Sequence, residues 1–156
     1  MTAKDLEKWC QFCPARRFFL KQGREFQKYM PRPDWVKPGT PKECYRNSFF
    51  AVEGRSNRLV YCEGLAWPEN RSSPCDHAWV ITHDQVVIDP TWHDLEPDRK
   101  VRYWGVPFKW EFVEETVLRT LTYGIVGRWE DDYPIPSGKI PVEEYLWRPE
   151  SAGVEA

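Results

Sequence analysis

A chain of 156 residues fits one domain with room for a real core. Its net charge of −2 and pI of about 6.0 exclude a broad positive field for nucleic acid or an anionic membrane surface. No apolar run is long enough to cross a bilayer, and nine Trp, seven Tyr and eight Phe promise a core built from large rings rather than aliphatic runs.

The first residues, 1–11, carry charges where a signal peptide needs an apolar centre. Five cysteines, an odd number, argue against a complete disulfide framework. Reduced thiols in a cytoplasmic protein are expected. Leu6, Trp9, Cys10 and Cys13 fall at helical spacing until Pro14 ends the pattern. A second helical stretch is predicted over 16–29, interrupted at Gly23. Pro31, Pro33 and Pro38 make 30–39 an extended or turning connector.

The run Thr40-Pro41-Lys42-Glu43 reads as a capping box, with Thr40 as N-cap and Pro41 at the first helical position. Cys44 then falls in the first helical turn. Tyr45, Phe49 and Val52 form the inward face, Cys44, Asn47, Ser48 and Ala51 a neighbouring stripe of small or polar groups, and Gly54 the stop. Strands are predicted over 58–66, 76–82 and 85–89, with a polar surface loop over 67–74. The segment 101–108 reads as a packed aromatic loop or edge strand, and Trp110, Val113, Val117, Leu118 and Leu121 predict a helix. The domain is expected to span 1–148, with 149–156 a frayed tail.

Three residues suit one chemistry. A thiol is nucleophilic as thiolate, a form that a helix N-terminus favours, so the placement of Cys44 fits reactivity as well as it fits an inert buried thiol. His77 heads the apolar run His77-Ala78-Trp79-Val80-Ile81, where it is either a general base or a satisfied structural histidine, with Trp79 two residues on as a shield. Asp89 closes Val86-Val87-Ile88-Asp89 before Pro90; it either caps the following turn or orients His77. Hairpin parity separates these. A two-residue loop at 83–84 puts His77 and Asp89 on opposite faces; a three-residue loop, 82–84, pairs Ile81 with Gln85 and sets His77 across from Asp89. The odd loop is expected, with Asp84 left-handed.

A helix-borne Cys44, then Glu63-Gly64-Leu65-Ala66, then His77-Ala78-Trp79, then Asp89-Pro90-Thr91-Trp92, resembles the core of the transglutaminase-like superfamily within the papain-like group. The likeness covers roughly 40–92 and is strongest to short bacterial and phage members. It implies an α+β fold in which the cysteine helix packs on an antiparallel sheet, with extra helices at the N-terminus. It also implies Cys44 as nucleophile, His77 as base and acid, and Asp89 as orienter. Leu65 departs from the aromatic common after that glycine, and the chain beyond Trp92 departs from the family altogether. A papain-type glutamine six residues before the cysteine is absent, position 38 being Pro. The Cys44 N–H is the leading oxyanion donor, and Asn47, Trp79 or Trp92 are secondary candidates for oxyanion or substrate contact.

The expected function is thiol-dependent hydrolysis or acyl transfer at an amide or ester of a peptide, protein or small substrate. No cofactor or metal is expected, and no nucleic-acid or membrane partner. Two other readings compete. One is an inactive module of the same fold that binds a protein through aromatic rings. The other is a zinc site built from Cys10-x-x-Cys13 with Cys62, Cys75 and His77. His83 and His93 read as surface and turn residues.

Overall fold

The computed structural model describes residues 2–92 and 100–149. His93 and the tail 150–156 lie outside the described residues. The fold is α+β. Helix α1 (Ala3–Cys10) starts at a true capping box: the Thr2 hydroxyl accepts from Asp5 N–H, and the Asp5 carboxylate takes the Thr2 N–H. Pro14 opens helix α2 (Pro14–Gln22), so Cys13 is its N-cap rather than the end of α1. The helix predicted over 16–29 stops at Gln22. Strands β1 (Arg24–Phe26) and β2 (Lys28–Tyr29) follow, because tertiary pairing overrides local periodicity in so short a piece.

The remaining strands are β3 (Leu59–Pro68), β4 (Cys75–Thr82), β5 (Val86–Ile88) and β6 (Val101–Phe108). They form one six-stranded sheet in the order β1-β6-β3-β4-β5-β2, antiparallel except for the β2–β5 pair. Both border strands, β1 and β2, are separated by Gln27 alone. Consecutive Cα atoms are about 3.8 Å apart, so one border runs directly into the other and the sheet rolls nearly closed. Its inner face holds Phe26, Val60, Cys62, Ala66, Trp79, Ile81, Val87, Val101 and Tyr103. The outer face, with Tyr61, Leu65, Ala78, Val80 and Val106, packs under helix α3 (Cys44–Val52), α2 and helix α4 (Trp110–Thr120).

The 101–108 segment is thus a full strand, not a loop. Gly64 and Gly105 face each other across β3 and β6, and a Cβ on Gly64 would come within 2.2 Å of the Trp104 carbonyl oxygen. Pro107 is tolerated because β1 reaches only residues 103–105. Beyond that point the short helix α5 (Val142–Tyr145) and its exit take over the border, with Trp147 N–H on the Pro107 carbonyl and Lys109 N–H on the Tyr145 carbonyl. Strand β3 also absorbs Trp67 and Pro68 from the predicted loop. In α4 the inward residues are Val113, Thr116 and Val117; Leu118 and Leu121 face solvent, Leu121 as a left-handed C-cap.

Candidate active site

Helix α3 begins at Cys44, one turn later than a Thr40 cap would have it. Lys42 adopts φ 68° and Glu43 occupies the N-cap without a side-chain bond, so the 40–43 capping box does not form. Asn47 takes over the role of fastener. Its amide nitrogen donates to the Thr40 carbonyl (2.8 Å) and the Thr91 hydroxyl (2.9 Å), and its oxygen accepts the Thr40 N–H (3.1 Å). This one side chain ties the connector, α3 and the 89–92 turn together. Gly39 makes room for it: a Cβ there would lie 2.2 Å from the Asn47 carboxamide carbon. At the far end Glu53 is the C-cap and Gly54, at φ 76°, ends the helix as its position predicts.

The β4–β5 hairpin has an odd loop, but two residues out of the expected register. Val80 pairs with Ile88 and Ile81 with Val87, so the loop is His83-Asp84-Gln85, and Gln85 rather than Asp84 takes the left-handed conformation at φ 65°. The Arg24 guanidinium holds the Gln85 side chain across the sheet border. A shift of two preserves parity, so His77 and Asp89 still share a face, as diagonal rather than direct neighbours.

There they meet. His77 Nε2 lies 2.8 Å from Asp89 Oδ2, and both side chains are buried. The Tyr103 hydroxyl donates to the same oxygen at 2.8 Å, while Oδ1 accepts the Thr91 and Trp92 N–H groups at 2.9 Å each. Asp89 therefore caps its own turn with one oxygen and holds the imidazole with the other. Trp92 stacks on His77 with centroids 4.0 Å apart and planes at 16°, closing the ring off from water on one side; Trp79 lies further away at 6.3 Å. Cys44, 9% exposed, sits near enough to the imidazole to favour its charged form, the His77–Asp89 bond being the firmer of the ring's interactions. Such slack is common in nucleophile–base pairs before substrate tightens them. With Nε2 committed to Asp89, Nδ1 is the nitrogen left to serve the thiol.

Electrostatics follow the geometry. Burial alone would lower the His77 pKa, but the Asp89 carboxylate, its hydrogen bond and the Cys44 side chain outweigh it and push the imidazole up to about 9. Burial would raise Asp89, yet His77, with help from the Trp92 N–H and the Tyr103 hydroxyl, holds it below the ordinary carboxylate range. The pair is an imidazolium–carboxylate at neutral pH. A raised histidine stabilises the fold fully below its ordinary 6.5 and loses that contribution as pH rises through about 9; the depressed aspartate loses its share only as pH falls below 3.8. The unfolding free energy measured in urea should accordingly fall between pH 6.5 and 9, by about 3 kcal/mol at most. His77→Gln, which cannot titrate, should not show that fall; an equal decline in both proteins would refute the pairing.

Of the secondary candidates, Trp92 covers the imidazole, Asn47 has both amide hydrogens engaged, and Trp79 is fully buried with an unpartnered indole N–H. The N–H groups of the first α3 turn, Cys44 included, lack intrahelical acceptors. Tyr103 and Glu63 were not foreseen. Alternation of Val101, Tyr103 and Gly105 marks the strand that carries the tyrosine, and a glutamate inside the apolar run 59–66 demands buried partners. The proposed zinc ligands do not converge: Cys10 packs in the outer core and Cys62 inside the rolled sheet. Among the described residues no group of three or more His, Cys, Asp or Glu is placed to hold a metal ion, and no helix is long and apolar enough to cross a membrane. Comparisons with family profiles, curated proteins and solved structures found no match for this chain.

Proposed function

We propose that the chain is a cysteine acyl-transfer enzyme with a transglutaminase-like, papain-like core. The observation that carries this reading is the buried His77–Asp89 bond of 2.8 Å with Cys44 as the imidazole's other polar neighbour. Removing two charges from water is costly, and a binding module has no need of such a pair beside a thiol. In the mechanism, the proton of the Cys44 thiol rests on His77 Nδ1, which makes the ring the imidazolium, and the thiolate attacks an amide or ester carbonyl. The Cys44 N–H steadies the oxyanion at the helix start. The imidazolium returns its proton to the departing amine or alcohol, leaving a thioester on Cys44. A second nucleophile, deprotonated by the same imidazole, attacks the thioester and releases the acyl group. Water is the readiest acceptor, which favours peptidase, amidase or deamidase chemistry over cross-linking.

Treatment with p-nitrophenyl acetate tests the nucleophile without knowledge of the substrate. A rapid burst of nitrophenolate should accompany one acetyl group per chain, found by peptide mass mapping on Cys44. Prior treatment with iodoacetamide should abolish the burst. Acetylation spread over lysines, with Cys44 unlabelled, would refute the mechanism.

A further inference from the structure

One helical turn beyond Cys44, about 4.5 Å along the axis, Asn47 and Ala51 open into a groove of about 480 Å³. Its charged lining is Lys37, Arg46 and Arg55, with Phe50 at the side. No carboxylate lines it. Lys37 is exposed and makes no ion pair among the described residues, and neither does Arg55, whose guanidinium lies 5.8 Å over the Trp35 ring. Arg46 lies 5.7 Å over the Phe50 ring and pairs with the solvent-exposed Glu43 at 3.4 Å, an ion pair that competes weakly with a ligand. Three cations thus gather, two of them unpaired, on a chain whose net charge is −2.

We propose that this groove receives acidic side chains of the substrate, so that the acyl donor is a peptide or protein segment with carboxylates beside the reacting amide. The proposal rests on the reading of Cys44 as nucleophile and adds the substrate class. Two guanidinium groups suit carboxylates in forked geometry, and Lys37 supplies a mobile point charge at the rim. The groove is linked to the reacting groups: Asn47 bonds Thr40 on the rim and Thr91, two residues from Asp89. Its volume suits a few side chains. A nucleic acid needs a longer stripe of cations that follows successive phosphates.

The test uses the Cys44→Ala chain, which cannot turn over a ligand, and fluorescence anisotropy with three labelled molecules: a Glu-rich peptide containing glutamine, the same peptide with Lys for Glu, and an oligothymidylate. The Glu peptide should bind at least about tenfold tighter than the Lys peptide and weaken with salt. Lys37→Glu and Arg55→Glu should each weaken it about fivefold, and more in combination. Circular dichroism checks their fold, and Arg46→Ala serves as a milder second variant. Equal binding of the two peptides, indifference to every charge change, or tighter binding of the oligothymidylate would overturn the proposal. Acetylation of Cys44 by p-nitrophenyl acetate is read separately in the unmutated chain. If acetylation succeeds and the peptide fails, only the groove is wrong. If the peptide binds and acetylation fails, the catalytic reading falls and the groove stands as an acidic-peptide site.

Discussion

Asp89→Asn should slow acylation of Cys44 on the order of 10³–10⁴-fold, although the substitution alters no more than one heavy atom. Asp89 offers two acceptor oxygens: one serves the Thr91 and Trp92 N–H groups, the other His77 and the Tyr103 hydroxyl. Asparagine keeps one oxygen. The two backbone donors cannot reorient, so they retain it, and the new NH₂ turns toward His77 Nε2. Nε2 must then accept, which moves the imidazole proton to Nδ1, facing the sulfur. A ring protonated there cannot take the thiol proton. The Tyr103 hydroxyl can rotate to accept from the NH₂, which limits the loss of stability to about 1–3 kcal/mol. Burst kinetics with p-nitrophenyl acetate, together with urea unfolding of both proteins, measure the two effects. An acylation rate within tenfold of the original would show that Asp89 only caps its turn.

The largest effect on stability is expected at Glu63. Its carboxylate is buried and accepts from the Tyr61 hydroxyl at 2.7 Å, the Ile125 N–H at 2.8 Å and the Val126 N–H at 3.2 Å. It thereby pins the segment after α4 to β3. Glu63→Ala strands these donors in a space that excludes water, at a cost of about 3–5 kcal/mol, a large part of a small domain's stability. Burial pushes the Glu63 pKa up, against the lowering influence of Tyr61, Ile125 and Val126. The folded state therefore resists ionisation, and the Glu63 contribution is largest below its ordinary 4.5 and declines as pH rises through the elevated value. Glu63→Gln does not titrate, so the urea-midpoint gap between it and the original chain should narrow as pH rises from 4.5. A gap independent of pH, or a loss under about 1 kcal/mol for the alanine variant, would contradict this account.

Parity made the central pairing legible. Alternation fixes which side chains share a face, so an odd hairpin loop brings His77 and Asp89 together whether the register is the expected one or two residues away. Proline and glycine punctuation was equally reliable at the 30–39 connector and at Gly54, whereas Pro14 opens α2 instead of closing α1. What failed were signals resolved only by distant partners. The 40–43 sequence satisfies a capping box on paper, yet Asn47 reaches back for the Thr40 backbone and delays the helix to Cys44. Arg24–Phe26 continues a helical pattern but pairs with β6, Glu25 standing opposite Trp104, 79 residues away, and Phe26 opposite Tyr103. Gly105 and Pro107 suggest irregular chain in 101–108, although close approach to β3 requires the first and a shortened neighbour tolerates the second.

The passage from one border of the sheet to the other through Gln27 has a consequence for self-association. Open β-sheets invite other chains to dock backbone to backbone along a free margin and so to seed fibres. Here the margins are brief, three residues in β1 and two in β2, and they are joined end to end through Gln27. The β2–β5 seam is short, with Lys28 opposite Val86, Tyr29 opposite Val87 and the Met30 N–H on the Val87 carbonyl, so a second molecule would have to pry that seam apart before it could add a strand there.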